Sequence, residues 1–112
     1  MTDEEVLRRA REFLVRGWCR GARARNADGE AVDPLHKSAV AWCIMGALDV
    51  ALGKTQGPRD SDHLLLLLKD ANGLDHSRPM SFYNDRAGAT LEWVLGLYDR
   101  ALNRLAPSPS GV

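Results

Sequence analysis

A chain of 112 residues, 45% hydrophobic and 27% charged, has the composition of one ordinary globular domain, large enough to bury roughly two thirds of its unfolded surface, and not that of a disordered or fibrous chain. Nothing approaches the ~20 apolar residues of a membrane span, and the N-terminus "MTDEEVLRRA" runs acidic then basic where an export signal runs basic then apolar. Membrane insertion is therefore not expected, the reducing cytoplasm is the expected compartment, and a structural disulfide between the two cysteines is disfavoured there.

Net charge is zero but unevenly spread: residues 8–25 hold seven arginines against Glu12, net +6, and the remainder carries −6. Arg16, Arg20, Arg23 and Arg25 form a candidate basic patch for a nucleic acid, because guanidinium forks pair bidentately with phosphate. The competing reading has these arginines facing solvent and the domain's own acidic half.

The first element is a helix. Thr2 and Glu5 have capping-box spacing, Asp3 and Glu4 suit the positive end of the helix dipole, and Val6, Leu7, Ala10, Phe13, Leu14 and Gly17 share one face. Glu5–Arg9, Arg8–Glu12 and Glu12–Arg16 are spaced for surface ion pairs, and the helix should end near Gly17 or Trp18. "RGARARNADGEAVDP" has no sustained period and reads as a loop with room for a short hairpin. Asp33 and Pro34 then read as the start of a second, mostly apolar helix over 35–52, near the middle of the domain. A third helix begins at Asp60 or Ser61 and runs to about Asn72, with Gly73 as its left-handed end; the five leucines Leu64–Leu68 must be covered by other helices or by another chain. "LDHSRPMSFYNDRAGAT" reads as irregular. Thr90 opens the last helix, with Leu91, Val94, Leu95, Tyr98, Ala101, Leu102 and Leu105 as its stripe. The expected fold is all-α, a compact four-helix domain over residues 1–105 with a frayed tail at 106–112.

Candidate sites follow from the chemistry-bearing residues. The only cysteines lie in two Trp-Cys dipeptides, "GWCRG" and "AWCIM". Cys43, on the apolar face of the second helix with Val40, Ala47 and Val50, reads as a small core residue. A catalytic thiolate would need a base, and His36, seven residues earlier, is about 10 Å away along a helix, leaving Asp85 or another histidine to approach through the fold. Cys19, among arginines, is the candidate for a sensing thiol. Cysteine and histidine spacing matches no metal site, and no cofactor is implied. Tyr83, Asn84, Asp85 and Arg86 form either a polar ligand pocket or a turn in which Asn84 and Asp85 bond their own backbone. Trp42 reads as interhelical packing beside Leu35 and Gly46, whereas Trp93, with Leu97, sits off the main stripe and suits a contact with another chain.

Three stretches, "GWCRGARARNADGEAV", "AVAWCIMGALDVAL" and "YNDRAGATLEWVLGLYDRAL", resemble a family of small bacterial and phage proteins of unknown function. The matching positions are Gly17, Trp18, Ala24, Arg25, Asp28, Gly29, Cys43, Gly46, Ala47, Leu48, Asn84, Asp85, Gly88, Thr90, Val94 and Ala101; Tyr83 stands where the family pattern has Trp. The resemblance implies a shared shape and no catalytic residue. The expected role is a non-catalytic module that binds a protein or a second copy of itself, with a thiol enzyme or redox sensor as the alternative and nucleic-acid binding behind it.

Overall fold

In a computed structural model, described over residues 2–53 and 62–105, the described residues form five helices and a two-stranded antiparallel ribbon that packs on the first two of them. Helix α1 spans Asp3–Arg16, and its capping box is present: the Thr2 hydroxyl accepts from the Glu5 amide at 3.2 Å and the Glu5 carboxylate accepts from the Thr2 amide at 3.1 Å. Val6, Leu7, Ala10 and Leu14 are buried and Phe13 packs beside them, as the spacing requires. Among the described residues the arginine ion pairs of α1 are Glu4–Arg8 at 3.3 Å and, to the last helix, Arg11–Asp99 at 2.7 Å, in place of the expected Glu5–Arg9, Arg8–Glu12 and Glu12–Arg16; Glu5 is held by the cap.

After Gly17 the chain is extended. Strand β1 (Ala24–Arg25) pairs antiparallel with β2 (Ala41–Trp42), and a bridge between Arg25 and Ala31 closes a small hairpin whose turn is tied by the Asn26 side chain to the amides of Asp28 and Glu30.

The expected helix over 35–52 is cut to Ile44–Leu52, α2. Asp33 does accept from the Leu35 amide at 2.8 Å, but no helix follows: the His36 ring accepts from the Ser38 amide, the Ala39 amide bonds the His36 carbonyl, and turns fill 33–39. Local side-chain acceptors compete with the helix here, and Val40–Trp42 gain more as a paired strand. Trp42 is thus a strand residue; its indole donates to the Pro34 carbonyl at 3.0 Å and its ring meets Phe13 edge-on at 5.0 Å. Cys43 is not on the face of a helix with Val40 but at the N-cap of α2.

Helix α3 spans Asp62–Ala71, its expected start at Asp60 or Ser61 lying outside the described residues, and Gly73 takes the left-handed conformation at φ +65°. The region read as irregular contains a six-residue helix, α4 (Met80–Asp85), entered through Pro79 and burying Met80, Tyr83 and Asn84. Helix α5 spans Leu91–Leu105, and the Thr90 hydroxyl accepts from the Trp93 amide at 3.0 Å. The fold is mostly helical with a small ribbon, and so departs from a strict four-helix all-α domain.

Helix α1 packs on α2 and α5, and α3 covers a second side of α5. That cover buries Leu97, only 1% exposed, so the expectation of a partner contact there is corrected: the buried face of α5 is wider than one stripe. The five leucines split, Leu64 and Leu68 in the core, Leu65 and Leu67 half-buried, Leu66 48% exposed. The expected tail, 106–112, lies outside the described residues.

Two glycines let backbones touch. A side-chain carbon on Gly46 would overlap the Arg23 carbonyl, and one on Gly17 the Val40 carbonyl. The Gly46→Ala variant is expected to lose about 1–3 kcal/mol by overpacking. Gly96→Ala, where the added carbon meets only the movable end of Arg100, is expected to gain about 0.5–1 kcal/mol from helix propensity. Urea denaturation midpoints of the two variants should therefore move in opposite directions.

Candidate functional site

The two Trp-Cys dipeptides lie side by side. Trp18 and Trp42 form a parallel bridge, the Trp42 amide donating to the Gly17 carbonyl at 3.0 Å and the Cys19 amide to the Trp42 carbonyl at 3.1 Å. In a continued parallel ladder the next bond would run from the Ile44 amide to the Cys19 carbonyl. The side chain of Asn84 occupies that place: its Oδ1 accepts from the Ile44 amide at 3.1 Å and its Nδ2 donates to the Cys19 carbonyl at 3.0 Å. The same Oδ1 accepts from the Trp18 indole at 2.8 Å, and Nδ2 also donates to Asp85 at 2.9 Å. Asp85 in turn accepts from the Gly21 amide at 3.0 Å.

Asn84 and Asp85 therefore depart from the turn reading. They do not bond their own backbone to shape a turn; they reach some 40 to 66 residues back along the chain. Nor does Asn84, 1% exposed, keep a free group for a ligand, since both its donors and its acceptor are engaged.

The N-terminus of α2 is equally occupied. The Cys43 amide donates to the Arg23 carbonyl, Ile44 to Asn84, Gly46 to the Cys43 sulfur at 3.3 Å and Ala47 to the Cys43 carbonyl. Cys43 thus fills the capping position usually given to a serine or aspartate, with a weak acceptor. Although amides of Gly46 and Met45 and the charge of Arg23 favour the thiolate, burial outweighs them and raises the Cys43 pKa. Cys19, donating to the Ala22 carbonyl at 3.6 Å, is pushed up to about 11, first by burial and then by the negative charge on Cys43, against the pull of Arg25.

A cavity of about 150 Å³ opens beside this joint, lined by Gly21–Arg23, Cys43, Met45, Ser81, Asn84 and Asp85. Cys43 meets it while remaining 4% exposed. No imidazole takes part: His36 bonds Ser38, His63 pairs with Asp3 at 2.8 Å, and His76 with Asp70 at 2.6 Å. Among the described residues no group of three or more metal-ligating side chains converges.

The arginines of the candidate basic patch are largely consumed by the fold. Arg23 pairs with the buried Asp49, Arg20 donates to the Ala89 carbonyl, and Arg25 donates to the carbonyls of Arg20 at 2.9 Å and Gly29 at 2.8 Å. Arg16 lies over the Phe13 ring at 5.2 Å, on the rim of a groove that Arg9 shares with Glu12. Arg86 stacks on Trp93 at 4.4 Å and reaches the Tyr83 ring at 5.9 Å, while the Tyr83 hydroxyl donates to the Asp75 carbonyl. Sequence spacing did not reveal the Asn84 joint or its link to Trp18; the one available signal was Met80, Tyr83 and Asn84 at helical spacing after Pro79.

Replacing Asn84 by alanine leaves the Trp18 indole, the Ile44 amide and the Cys19 carbonyl without their partner. A buried unsatisfied group costs about 1–3 kcal/mol, so Asn84→Ala is expected to lose at least that much in chemical denaturation, and Asn84→Asp, which keeps the acceptor, to lose less at acidic than at neutral pH because its charge would face Asp85. The raised Cys19 pKa fixes a second expectation. The folded chain holds this thiol neutral, so its contribution to stability is fully present below the ordinary value of 9.0 and is lost as pH rises toward 11. A pH series of urea unfolding should show that alkaline decline, and Cys19→Ala should make it shallower, the buried Cys43 thiol keeping the rest.

No curated protein and no solved structure matches the chain. Residues 1–104 match the model of a family of unknown function, DUF6197, and the chain belongs to that family.

Proposed function

We propose that this protein is a non-catalytic assembly module in which a second copy of the chain covers the outer side of α3. The observation that carries the reading is Leu66, 48% exposed at the centre of a five-leucine run whose neighbours Leu65 and Leu67 are only half-buried. A helix that keeps leucine on its water-facing side gains by docking that side. Trp93 is half-buried beneath Arg86 at the start of α5. The polar cluster at Cys43, Asn84 and Asp85 favours the same conclusion by subtraction, since its bonding capacity goes into joining segments of the fold.

Neutral thiols without an imidazole argue against a thiol enzyme, and arginines bonded to the chain's own carbonyls argue against a phosphate-binding face. Two free cysteines accord with the cytoplasm as the working compartment.

Sedimentation velocity over a concentration series tests the proposal. The full chain is expected to self-associate, and Leu66→Asp to return it to monomer with unchanged helical circular dichroism. A wild-type chain that remains monomeric throughout overturns the reading.

A further inference from the structure

One register step beyond the Trp18–Trp42 bridge stand Cys19 and Cys43. Opposite residues of a parallel pair project to the same side, and the Cys19 amide bonded to the Trp42 carbonyl at 3.1 Å holds the backbones at ladder spacing, about 4.8 Å, up to this step. Asn84 parts them only beyond it, so that the two cysteines stand at the edge of a pairing whose spacing falls in the ~4.4–6.8 Å window that a disulfide spans. The two sulfurs have different partners, Cys19 the Ala22 carbonyl at 3.6 Å and Cys43 the Gly46 amide at 3.3 Å. The cavity reaches Cys43 and gives a small reagent one way in.

We propose that Cys19 and Cys43 are a latent dithiol, closed to an intramolecular disulfide by a low-molecular-weight disulfide, and that closure withdraws the sulfur capping α2. The steps balance as a thiol–disulfide exchange. The Cys43 thiol loses its proton and attacks one sulfur of the reagent RSSR, breaking the S–S bond; the departing RS⁻ takes up the proton as RSH. The Cys19 thiol then loses its proton and attacks the Cys43 sulfur of the mixed disulfide, expelling the second RS⁻, which is protonated in turn. Two protein thiols are oxidised and one reagent disulfide is reduced to two RSH. Both sulfurs must swing away from their present partners, so the Gly46 amide loses its acceptor when the bond forms.

This pairing is independent of the association through α3 and is tested separately. The native full-length chain is treated with 2,2′-dithiodipyridine at mildly alkaline pH, and intact mass and released pyridine-2-thione are read together. The expected result is two thiones per chain, no retained pyridyl label and a mass lower by two hydrogens. In Cys19→Ser a single pyridyl label should remain on Cys43, because the closing thiol is gone. Hydrogen exchange at the Gly46 amide should quicken several-fold on closure. Wild-type chain that keeps pyridyl labels, forms only intermolecular bonds, or reacts only after denaturation overturns the dithiol, and unchanged Gly46 exchange in the closed form overturns the uncapping.

Discussion

One side-chain amide stands in for a peptide group. Where the parallel pairing of the two Trp-Cys segments would need another backbone bond, Asn84 supplies a donor to one strand and an acceptor to the other, and takes the Trp18 indole as well. A buried amide offers both polarities within one rigid plane, which neither a hydroxyl nor a carboxylate matches. Because the entry to α2, the segment after α1 and the end of α4 meet at this amide, it joins α2 to both neighbours that pack on it. Gly46 and Gly17 serve the same end by letting backbones close to contact distance.

The charge asymmetry has a structural account of the same kind. A loop-rich connection such as 17–43 exposes carbonyls that no ladder satisfies, and a guanidinium can hold several at once. Arg25 bonds the carbonyls at both ends of its own bend, Arg20 ties the connection to the residue before Thr90 and α5, and Arg23 neutralises an aspartate within α2. Within the positive run at 8–25, Arg8, Arg11 and Arg23 pair with carboxylates, while Arg20 and Arg25 bond carbonyls and keep their charge.

Much of this was legible in the sequence. The cap and apolar face of α1, the left-handed Gly73 and the entry of α5 at Thr90 follow from local spacing and residue chemistry, whereas Cys43 is buried as expected but at an N-cap and not on a helical face with the exposed Val40. The segment 35–43 was not, because an apolar stretch reads alike as buried helix or strand and the deciding bonds are side-chain acceptors at Asp33 and His36. Helix α4 is shorter than any window over which a period shows. Leu97 was misplaced because the face of α5 was read as one stripe, whereas a second helix, α3, covers its flank. The role of Asn84 is invisible to local reasoning, since its partners are 40 to 66 residues distant.

That distance orders events in time. In chain order α1, the ribbon and α2 all precede residue 84, so the Ile44 amide and the Trp18 indole gain their partner only when α4 folds back over 40 to 66 residues. Long-range closure of this sort is slow relative to helix formation. A chain ended before α4 would lack the one side chain that bonds Trp18, Cys19 and Ile44 together.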